Sequence, residues 1–265
     1  MIKLENFEVI GWEHAIRGMR NPMNSWEKSD SGWNASMPPL ELRSKVDWHE
    51  YAKNYITVLE GDEYDYDIGP NDQALMMRLS KNGPVHAKYR RMITVYVDIT
   101  APLYWWKEFD TYKVGTVANS CSTMHKIHEK EFTLDDFSCE HLLSDDDYHM
   151  DNFESLLYED GKEVERPRIY LSSPIDDLQD TISKLNLCRR LYLDKSIKGD
   201  KKIYWWQMIQ LLPSSYNQKR SVMLNYEVLA NIYKSRKDHK LDEWHTFCDW
   251  IESLTYAELI TGEKK

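Results

Sequence analysis

The residues 212–236, LPSSYNQKRSVMLNYEVLANIYKSR, place two amides and a guanidinium, Asn225, Asn231 and Arg236, among apolar side chains. Their pattern predicts a turn followed by a helix over Met223–Lys237. Asn225 and Arg236 are eleven positions apart. That is close to three turns at about 3.6 residues per turn, so we expect both on one helix face. Arg236 could complement the helix C-terminus from solvent, or its forked donors could hold an anion or a carbonyl in a pocket. The nearby lysines are expected to be solvated: Lys234, Lys237 and Lys240.

Metal ligation is a second chemistry to consider. Cys121, His125 and His128 would share one face if they lay on a helix. A structural metal would still need a fourth ligand, so we favour the simpler interpretation of a cysteine and two surface imidazoles. The acidic run Asp145–Asp147, with Asp151, lacks the glycine and the terminal glutamate of a calcium loop and predicts a solvated loop. We therefore predict no metal site.

Several common functional motifs are absent from the sequence. It contains no G-x-G-x-x-G after a strand, no G-x-x-x-x-G-K-[ST], no H-E-x-x-H and no paired C-x-x-C. Most dinucleotide-fold, kinase and zinc-protein interpretations therefore lose their support. No two of the four cysteines have C-x-x-C spacing, and we expect free, reduced thiols in a cytosolic protein.

Composition narrows the protein class. The 265 residues are 42% hydrophobic and include 10 Trp and 17 Tyr, enough for a sizeable core, while Gly and Pro are scarce. The net charge of −10 argues against a nucleic-acid polymer as partner, although it allows a local basic pocket for one phosphate. No apolar run approaches the roughly 20 residues of a membrane span, and the N-terminus carries charges throughout. We expect a soluble cytoplasmic protein without a membrane partner.

The elements that must position these groups follow from hydrophobic periodicity and from helix-ending residues. Val46–Glu60 is mixed, and residues 128–168 read as an acidic insertion of solvated short helices and loops. We predict one helix-rich α+β domain over residues 1–265. Its predicted elements are an N-terminal strand, a helix around Glu13–Arg20, a loop to Pro39, a helix from about Asn71 to Leu79 that Gly83 ends, a strand at Met92–Thr100, a helix that begins near Pro102, and helices at Asp176–Leu193, Ile203–Leu212 and Asp242–Leu254.

The order Leu-Pro, Asn, Asn, Arg within residues 212–236 resembles the C-terminal segment of the flavin-dependent thymidylate synthases, the ThyX family. A second segment, ITAPLYWWKEFDTYKVGTVANSCSTMH, takes the place of the family signature RHRxxSxNExSxR. LSKNG at 79–83 is similar to the helix end that precedes the family's flavin-contacting strand. The resemblance spans about Gln73–His125 and Ile203–Leu254, and it implies a ThyX-like fold with a small antiparallel sheet. The positions matched in the first segment are Leu212, Pro213, Asn225, Asn231 and Arg236.

The signature itself is substituted in this chain. Glu227 stands where the family has an arginine near the flavin. Among the signature positions, only Lys113 and Thr116 are conservative changes. Thr111, Tyr112 and Lys113 replace RHR, and Thr116 replaces the first Ser of the signature. Ala118 and Asn119 replace Asn-Glu, Cys121 replaces the second Ser, and Thr123 replaces the last Arg.

The resemblance implies a site chemistry. Reduced flavin supplies hydride, and Arg236 would polarise the carbonyl of the base, which stabilises developing negative charge as an oxyanion hole does. It also implies a homotetramer with the site between subunits, FAD as cofactor, and NADPH and methylenetetrahydrofolate as candidate co-substrates. The cofactor-binding residues would be Asn225, Asn231, Lys113 and Asn119. The substrate-binding residues would be Arg90, Arg91, Thr116, Cys121, Lys219 and Arg220.

Two functions follow. The first is a flavin-dependent, thymidylate-synthase-like methyltransferase that modifies C5 of a pyrimidine nucleotide, dUMP or a related one. The second is a non-catalytic nucleotide-binding or structural homo-oligomeric homologue that lost the flavin chemistry. Cys121 also has two possible roles: it is a small packed residue in place of the family's serine, or it is a new reactive group.

Overall fold

The computed structural model describes residues 2–33, 66–144, 158–159, 162–163 and 172–262. Short 3-10 turns occur at Asn21–Met23, Trp26–Lys28, Lys88–Met92 and Leu134–Asp136. The strands are β1 (Lys3–Ile10), β2 (Gly32–Trp33), β3 (Tyr66–Asp67), β4 (Thr94–Pro102), β5 (Val117–Ser120), β6 (Tyr158–Glu159), β7 (Lys162–Glu163) and β8 (Asn217–Asn225). The helices are α1 (Trp12–Arg20), α2 (Pro70–Lys81), α3 (Leu103–Phe109), α4 (Thr123–Lys126), α5 (Pro174–Leu193), α6 (Lys202–Leu211), α7 (Tyr226–Arg236), α8 (Asp242–Ser253) and α9 (Glu258–Thr261).

A four-stranded antiparallel sheet, in the order β1-β4-β8-β5, positions the helices. The central strand β4 buries Val95, Val97 and Ile99 on one face, as its alternating β-branched residues require. β8 pairs along the whole of β4, from Thr94 opposite Asn225 to Pro102 opposite Asn217. The α+β class and the small antiparallel sheet are thereby confirmed.

The sequence prediction of a helix that begins at Met223 is wrong. Val222 and Leu224 are buried on alternate positions of β8, so the two-residue period of a strand continues to Asn225. The helix begins at Tyr226 because Asn225 is its N-cap: the side-chain oxygen accepts the backbone N–H groups of Glu227 and Val228, each at 3.1 Å. Asn225 therefore joins strand to helix and does not lie on a helix face.

The main core is aromatic. Trp105, Trp106 and Phe109 of α3 are almost fully buried, and Trp105 packs against Trp244 and Phe247 of α8 with ring centroids 4.7 and 5.6 Å apart. Such ring contacts add to the free energy gained by burial. This packing fixes the C-terminal end of α3 beside α8, which matters for the site.

A second, smaller core joins α5 and α6 to the start of the acidic stretch. Phe132 and Phe137 are buried there with Leu185 and Met208. Asn186 pairs with the backbone of Phe132, accepting its N–H at 2.9 Å and donating to its carbonyl at 2.8 Å. The prediction that residues 128–168 are solvated is wrong for this part, because Phe132 and Phe137 are buried against α5 and α6.

The other predicted helices and the strand near residues 92–100 are confirmed to within a few residues. Gly83, the predicted end of α2, has φ +89°, the left-handed region that suits glycine after a helix. The segments Val46–Glu60, Asp145–Asp147 and Asp151 lie outside the described residues. None of the helices described is long and apolar enough to cross a membrane.

Candidate functional site

Arg236 lies where the C-terminal ends of α3 and α7 meet α8. Its Nε–H donates to the hydroxyl of Tyr112 at 2.9 Å, and its Nη1 donates to Oε2 of Glu108 at 2.8 Å. The same carboxylate oxygen accepts Nε1–H of Trp244 at 2.9 Å, and Nε2 of His239 is 3.4 Å from it. The solvated interpretation of Arg236 is wrong, since two of its three nitrogens are held inside the protein.

Two aromatic rings also hold the guanidinium of Arg236 in place. The guanidinium carbon lies 4.9 Å from the ring centroid of Trp244 and 5.7 Å from that of Tyr112, within the range of cation–π attraction. Its side chain is 18% exposed. A partly desolvated cation in one fixed orientation is the type of group that stabilises developing negative charge on a ligand.

The segment that replaces the first part of the family signature runs along α7. Tyr112 contacts Arg236 at the C-terminal end of α7, whereas Gly115 packs at its N-terminal end. A Cβ atom on Gly115 would lie 2.9 Å from Nδ2 of Asn225 and 3.2 Å from Val228, and its φ of +82° also favours glycine. The two segments in which the sequence resembles the ThyX family are thus in direct contact.

The remaining signature positions have different environments. Lys113 and Asn119 are exposed, and Asn119 lies on β5, a strand exposed along its full length. Thr116 is partly buried, and its hydroxyl has no hydrogen-bond partner among the described residues. An unsatisfied buried hydroxyl is uncommon, and a ligand could reach this one only if the surrounding side chains moved.

A cavity of about 390 Å³, which we call the α2–α7 cavity, holds two of the residues predicted from sequence, Arg90 and Asn231. It also contains the end of α2, where LSKNG occurs. Four cationic side chains and one carboxylate line this cavity. Two of the cations are Lys234 and Lys237, which the sequence predicted to be simple solvated charges. The charged lining residues are Lys81, Arg90, Glu227, Lys234 and Lys237.

Two charged residues that line this cavity, Arg90 and Glu227, are only partly paired by hydrogen bonds and ion pairs. Arg90 and Glu227 are 11% and 13% exposed, and their nearest charged atoms, Nη1 and Oε2, are 3.8 Å apart. Nε of Arg90 and Oε2 of Glu227 are buried and have no hydrogen-bond partner within the described part of the chain. The glutamate that replaces the expected arginine therefore faces an arginine from the other matched segment. Nε and Oε2 are both inaccessible, so the missing hydrogen bonds mark an imperfect ion pair and not a contact point for a ligand.

Cys121 and Lys219 line a different cavity of about 730 Å³ beside the ends of β5 and β8. Nζ of Lys219 is 3.2 Å from Asp98 and 3.4 Å from Glu5, and these partners raise the pKa of Lys219. Hydrogen bonds from Ser221, then Asn6 and Lys219, lower the pKa of Asp98 to about 2. Lys219 is thus committed to neighbouring carboxylates.

Arg220 is also engaged within the chain. Its Nη1 donates to Asp110 at 2.9 Å and its Nε donates to Gln218 at 3.0 Å, while the guanidinium lies 4.1 Å from the Trp106 ring centroid. Arg91, by contrast, is exposed and does not line the cavity that holds Arg90. Of the basic residues assigned to a phosphate from sequence, Arg90 has the most suitable position.

The metal-site alternative required Cys121, His125 and His128 to lie on one helix, whereas the helix in this region covers only Thr123–Lys126. Cys121 precedes α4 and His128 follows it, so the two do not share a helix face with His125. The backbone N–H of Cys121 donates to the carbonyl of Lys219 at 2.9 Å, and its thiol is free. Over the described ranges, no group of three or more His, Cys, Asp or Glu side chains could hold a metal ion.

Glu108 and the lysines of the α2–α7 cavity are the site residues that sequence reasoning missed. Glu108 could have been found, because it is a charged residue inside the apolar run LYWWKEF of α3. The structure places the predicted residues in three groups: Arg90 with Asn231, Arg236 with Tyr112, and Cys121 with Lys219. Asn225 and the segment that ends in Thr116 connect the first two groups along α7.

Comparison with known proteins shows which solved structures have a similar fold. No family model and no curated protein matches the sequence. Among solved structures, thymidylate synthase X (ThyX) from Helicobacter pylori with FAD and dUMP has a TM-score of 0.56 and 14% identity, over 99% of this chain and 98% of that one. A second structure of the Helicobacter pylori enzyme, also complexed with FAD and dUMP, has a TM-score of 0.54 and 15% identity, over 100% and 99%. The described part of the chain therefore has a fold similar to that of thymidylate synthase X.

Proposed function

We propose that this chain is a divergent flavin-dependent thymidylate-synthase-like protein that binds a pyrimidine nucleotide, dUMP or a related one, and modifies its C5 position. One observation carries the proposal: Arg90 and Asn231, chosen from separate segments of the sequence, line one basic cavity. The likeness in fold to enzymes solved with FAD and dUMP supports it. A cluster of cations in a chain of net charge −10 suits a phosphorylated ligand.

The α2–α7 cavity also fits part of a flavin cofactor. Its volume of about 390 Å³ is near the lower end of the roughly 300–1,000 Å³ found for ligand pockets, which suits a mononucleotide or one half of FAD. Asn231 would hold the cofactor and Arg90 the phosphate of the nucleotide, while Lys81 and Lys234 at the rim would neutralise the phosphates of either ligand. When bound, reduced flavin would supply hydride, with NADPH and methylenetetrahydrofolate proposed as co-substrates.

Arg236 would act on the base. Glu108 and Tyr112 hold its Nη1 and Nε, so we assign the remaining nitrogen, Nη2, to the carbonyl of the pyrimidine. A fixed donor at that oxygen stabilises the negative charge that develops during attack through C5. Asn225 would contribute through its side-chain nitrogen, because its oxygen caps α7.

A second candidate is a nucleotide-binding protein without turnover. The observation that favours it is the internal pairing of Lys219 with Asp98 and of Arg220 with Asp110. These pairs remove two cations from the proposed phosphate-binding set, although they leave Arg90 and Asn231 in place. This candidate predicts nucleotide affinity but no product.

Replacing Asn231 by alanine is expected to weaken binding of dUMP or FAD about tenfold or more. The variant removes an amide that donates to a charged ligand, an interaction typically of about 1.5–3 kcal/mol. Because Asn231 is exposed on α7, the fold should be preserved. Calorimetric titration with dUMP, other pyrimidine and purine monophosphates, and FAD measures the effect, and the flavin absorption band of the purified protein gives a direct second readout.

Lys240→Ala is the matched control, since Lys240 is exposed beyond α7 and does not line the cavity. Arg90→Ala should weaken the same ligand at least as much, with its melting temperature measured in parallel. If a ligand that the unmodified chain binds has equal affinity for all of these variants, the α2–α7 cavity is not its site. Formation of a C5-modified product separates the two candidates.

A homo-oligomer, with a tetramer as the proposed state, is expected because the three groups of predicted residues lie apart within one chain. Neighbouring subunits could complete a site that includes the exposed strand β5. Light scattering at micromolar concentration, with and without FAD and dUMP, measures the mass. A monomer under both conditions would contradict a site shared between subunits.

A further inference from the structure

A cavity of about 770 Å³ lies on the second core, away from the residues assigned above. We call it the α5–α6 cleft; its walls are the C-terminal end of α5, the start of α6 and α4. The residues that line it include Tyr192, Trp205, His128, Lys195, Lys201 and Lys202. The proposed function uses none of these residues.

Two aromatic side chains give the cleft a fixed apolar wall. The ring of Tyr192 packs edge-on against His128, with centroids 4.9 Å apart. Nε1–H of Trp205 donates to the backbone carbonyl of Met124 at 3.0 Å, which holds the indole in one orientation. Both Tyr192 and Trp205 are partly exposed. Planar rings that are held in place and open to solvent are suitable surfaces for stacking of a nucleobase.

Positive charge surrounds this wall. Lys195, Lys201 and Lys202 line the cleft, whereas Asp200 is its one acidic lining residue. The carboxylate of Asp200 already accepts the backbone N–H of Lys202 at 2.9 Å. Two lysines at the N-terminal end of α6 add to the positive end of the helix dipole, where acidic residues would be favoured for stability. The arrangement therefore favours an anionic ligand.

His128 packs against the aromatic wall through its ring, whose centroid lies 4.9 Å from that of Tyr192. Its Nδ1 is buried and has no hydrogen-bond partner among the described residues. Buried polar atoms are almost always paired, and the ring of this histidine lines the cleft beside Tyr192. Because Nδ1 itself is inaccessible, a ligand in the cleft would meet the histidine ring and not this atom.

We propose that the α5–α6 cleft binds a nucleoside phosphate. Its base would stack on Trp205 and Tyr192, and its phosphates would lie against Lys201, Lys202 and Lys195. A free phosphate would leave most of a 770 Å³ cavity and its aromatic wall unused. This site is separate from the α2–α7 cavity and does not depend on the function proposed for that cavity.

Titration calorimetry of the 265-residue chain with ATP, adenosine and inorganic pyrophosphate tests the proposal. ATP is expected to bind at least about tenfold more tightly than either part, because only ATP engages both the aromatic wall and the lysines. The double variant Lys201→Ala/Lys202→Ala should weaken ATP binding at least about tenfold. Lys198→Ala is the matched control, since Lys198 is an exposed lysine of the same loop that does not line the cleft.

The Asn231→Ala variant distinguishes the two cavities. ATP affinity that is lost in Asn231→Ala but retained in the double lysine variant would place ATP in the α2–α7 cavity and overturn the proposal. Absence of ATP binding at millimolar concentration would also overturn it. Pyrophosphate that binds as tightly as ATP would overturn the nucleoside assignment, because the aromatic wall would then contribute nothing.

Discussion

Replacing Asp72 by alanine is expected to lower the free energy of unfolding by about 3–5 kcal/mol, the usual cost of breaking a buried ion pair from one side. Asp72 is fully buried and accepts Nε–H of Arg20 at 2.6 Å and the hydroxyls of Ser29 and Ser31, each at 2.6 Å. Arg20 is only 6% exposed, so the variant leaves a buried cation without its carboxylate. Urea unfolding followed by circular dichroism measures the loss.

Asp180→Ala is the control for this prediction, because Asp180 is exposed on α5 and its removal should change stability by no more than about 0.5 kcal/mol. Replacing both Arg20 and Asp72 by apolar residues of similar volume should recover much of the loss, since no unpaired charge remains. If Asp72→Ala costs less than about 1 kcal/mol, the ion pair does not hold α1 to α2 as described.

Replacing Arg236 by alanine is expected to reduce turnover of the nucleotide by about 10²–10³-fold, the usual effect of removing one donor that stabilises an oxyanion. Arg236→Lys should not restore the rate, because an ammonium cannot reproduce the planar fork that contacts Glu108 and Tyr112 while it presents a third nitrogen. Measurement of kcat, KM and nucleotide affinity for each variant separates a catalytic role from a binding role.

Glu108→Gln tests how Arg236 is held. An amide can still accept the hydrogen bonds from Arg236 and Trp244, but it removes the charge that opposes the guanidinium. Lys240→Ala is again the control, since Lys234 and Lys237 line the α2–α7 cavity. Nucleotide affinity and turnover that are unchanged in every Arg236 variant would show that Arg236 only stabilises the contact between α3, α7 and α8.

The sequence predicted β4 and the long helices because their own side chains carry the period of the element. It did not predict β8, because NQKRSVMLN has polar residues on its exposed face and good helix formers near its end. Its extended form comes from pairing with β4 on one side and β5 on the other. β5 is exposed throughout and has no apolar period of its own.

For the site, the sequence identified the important residue types but not their partners. Asn225 was expected to lie on a helix face with Arg236, and it is an N-cap, because a short run of residues does not reveal where a strand ends and a helix begins. Arg236 was expected either in solvent or at a ligand. Its partner Glu108 is 128 positions away, so only the folded chain brings them together.

The direct passage from β8 into α7 at Asn225 has a geometric consequence. No loop separates the strand from the helix, so α7 is joined directly to the sheet. The helix is about 16 Å long at about 1.5 Å per residue. Asn231 is midway along it and Arg236 is at its tip. Because α7 is one continuous helix, the separation between Asn231 in the cavity and the guanidinium at the tip is set by helix geometry alone.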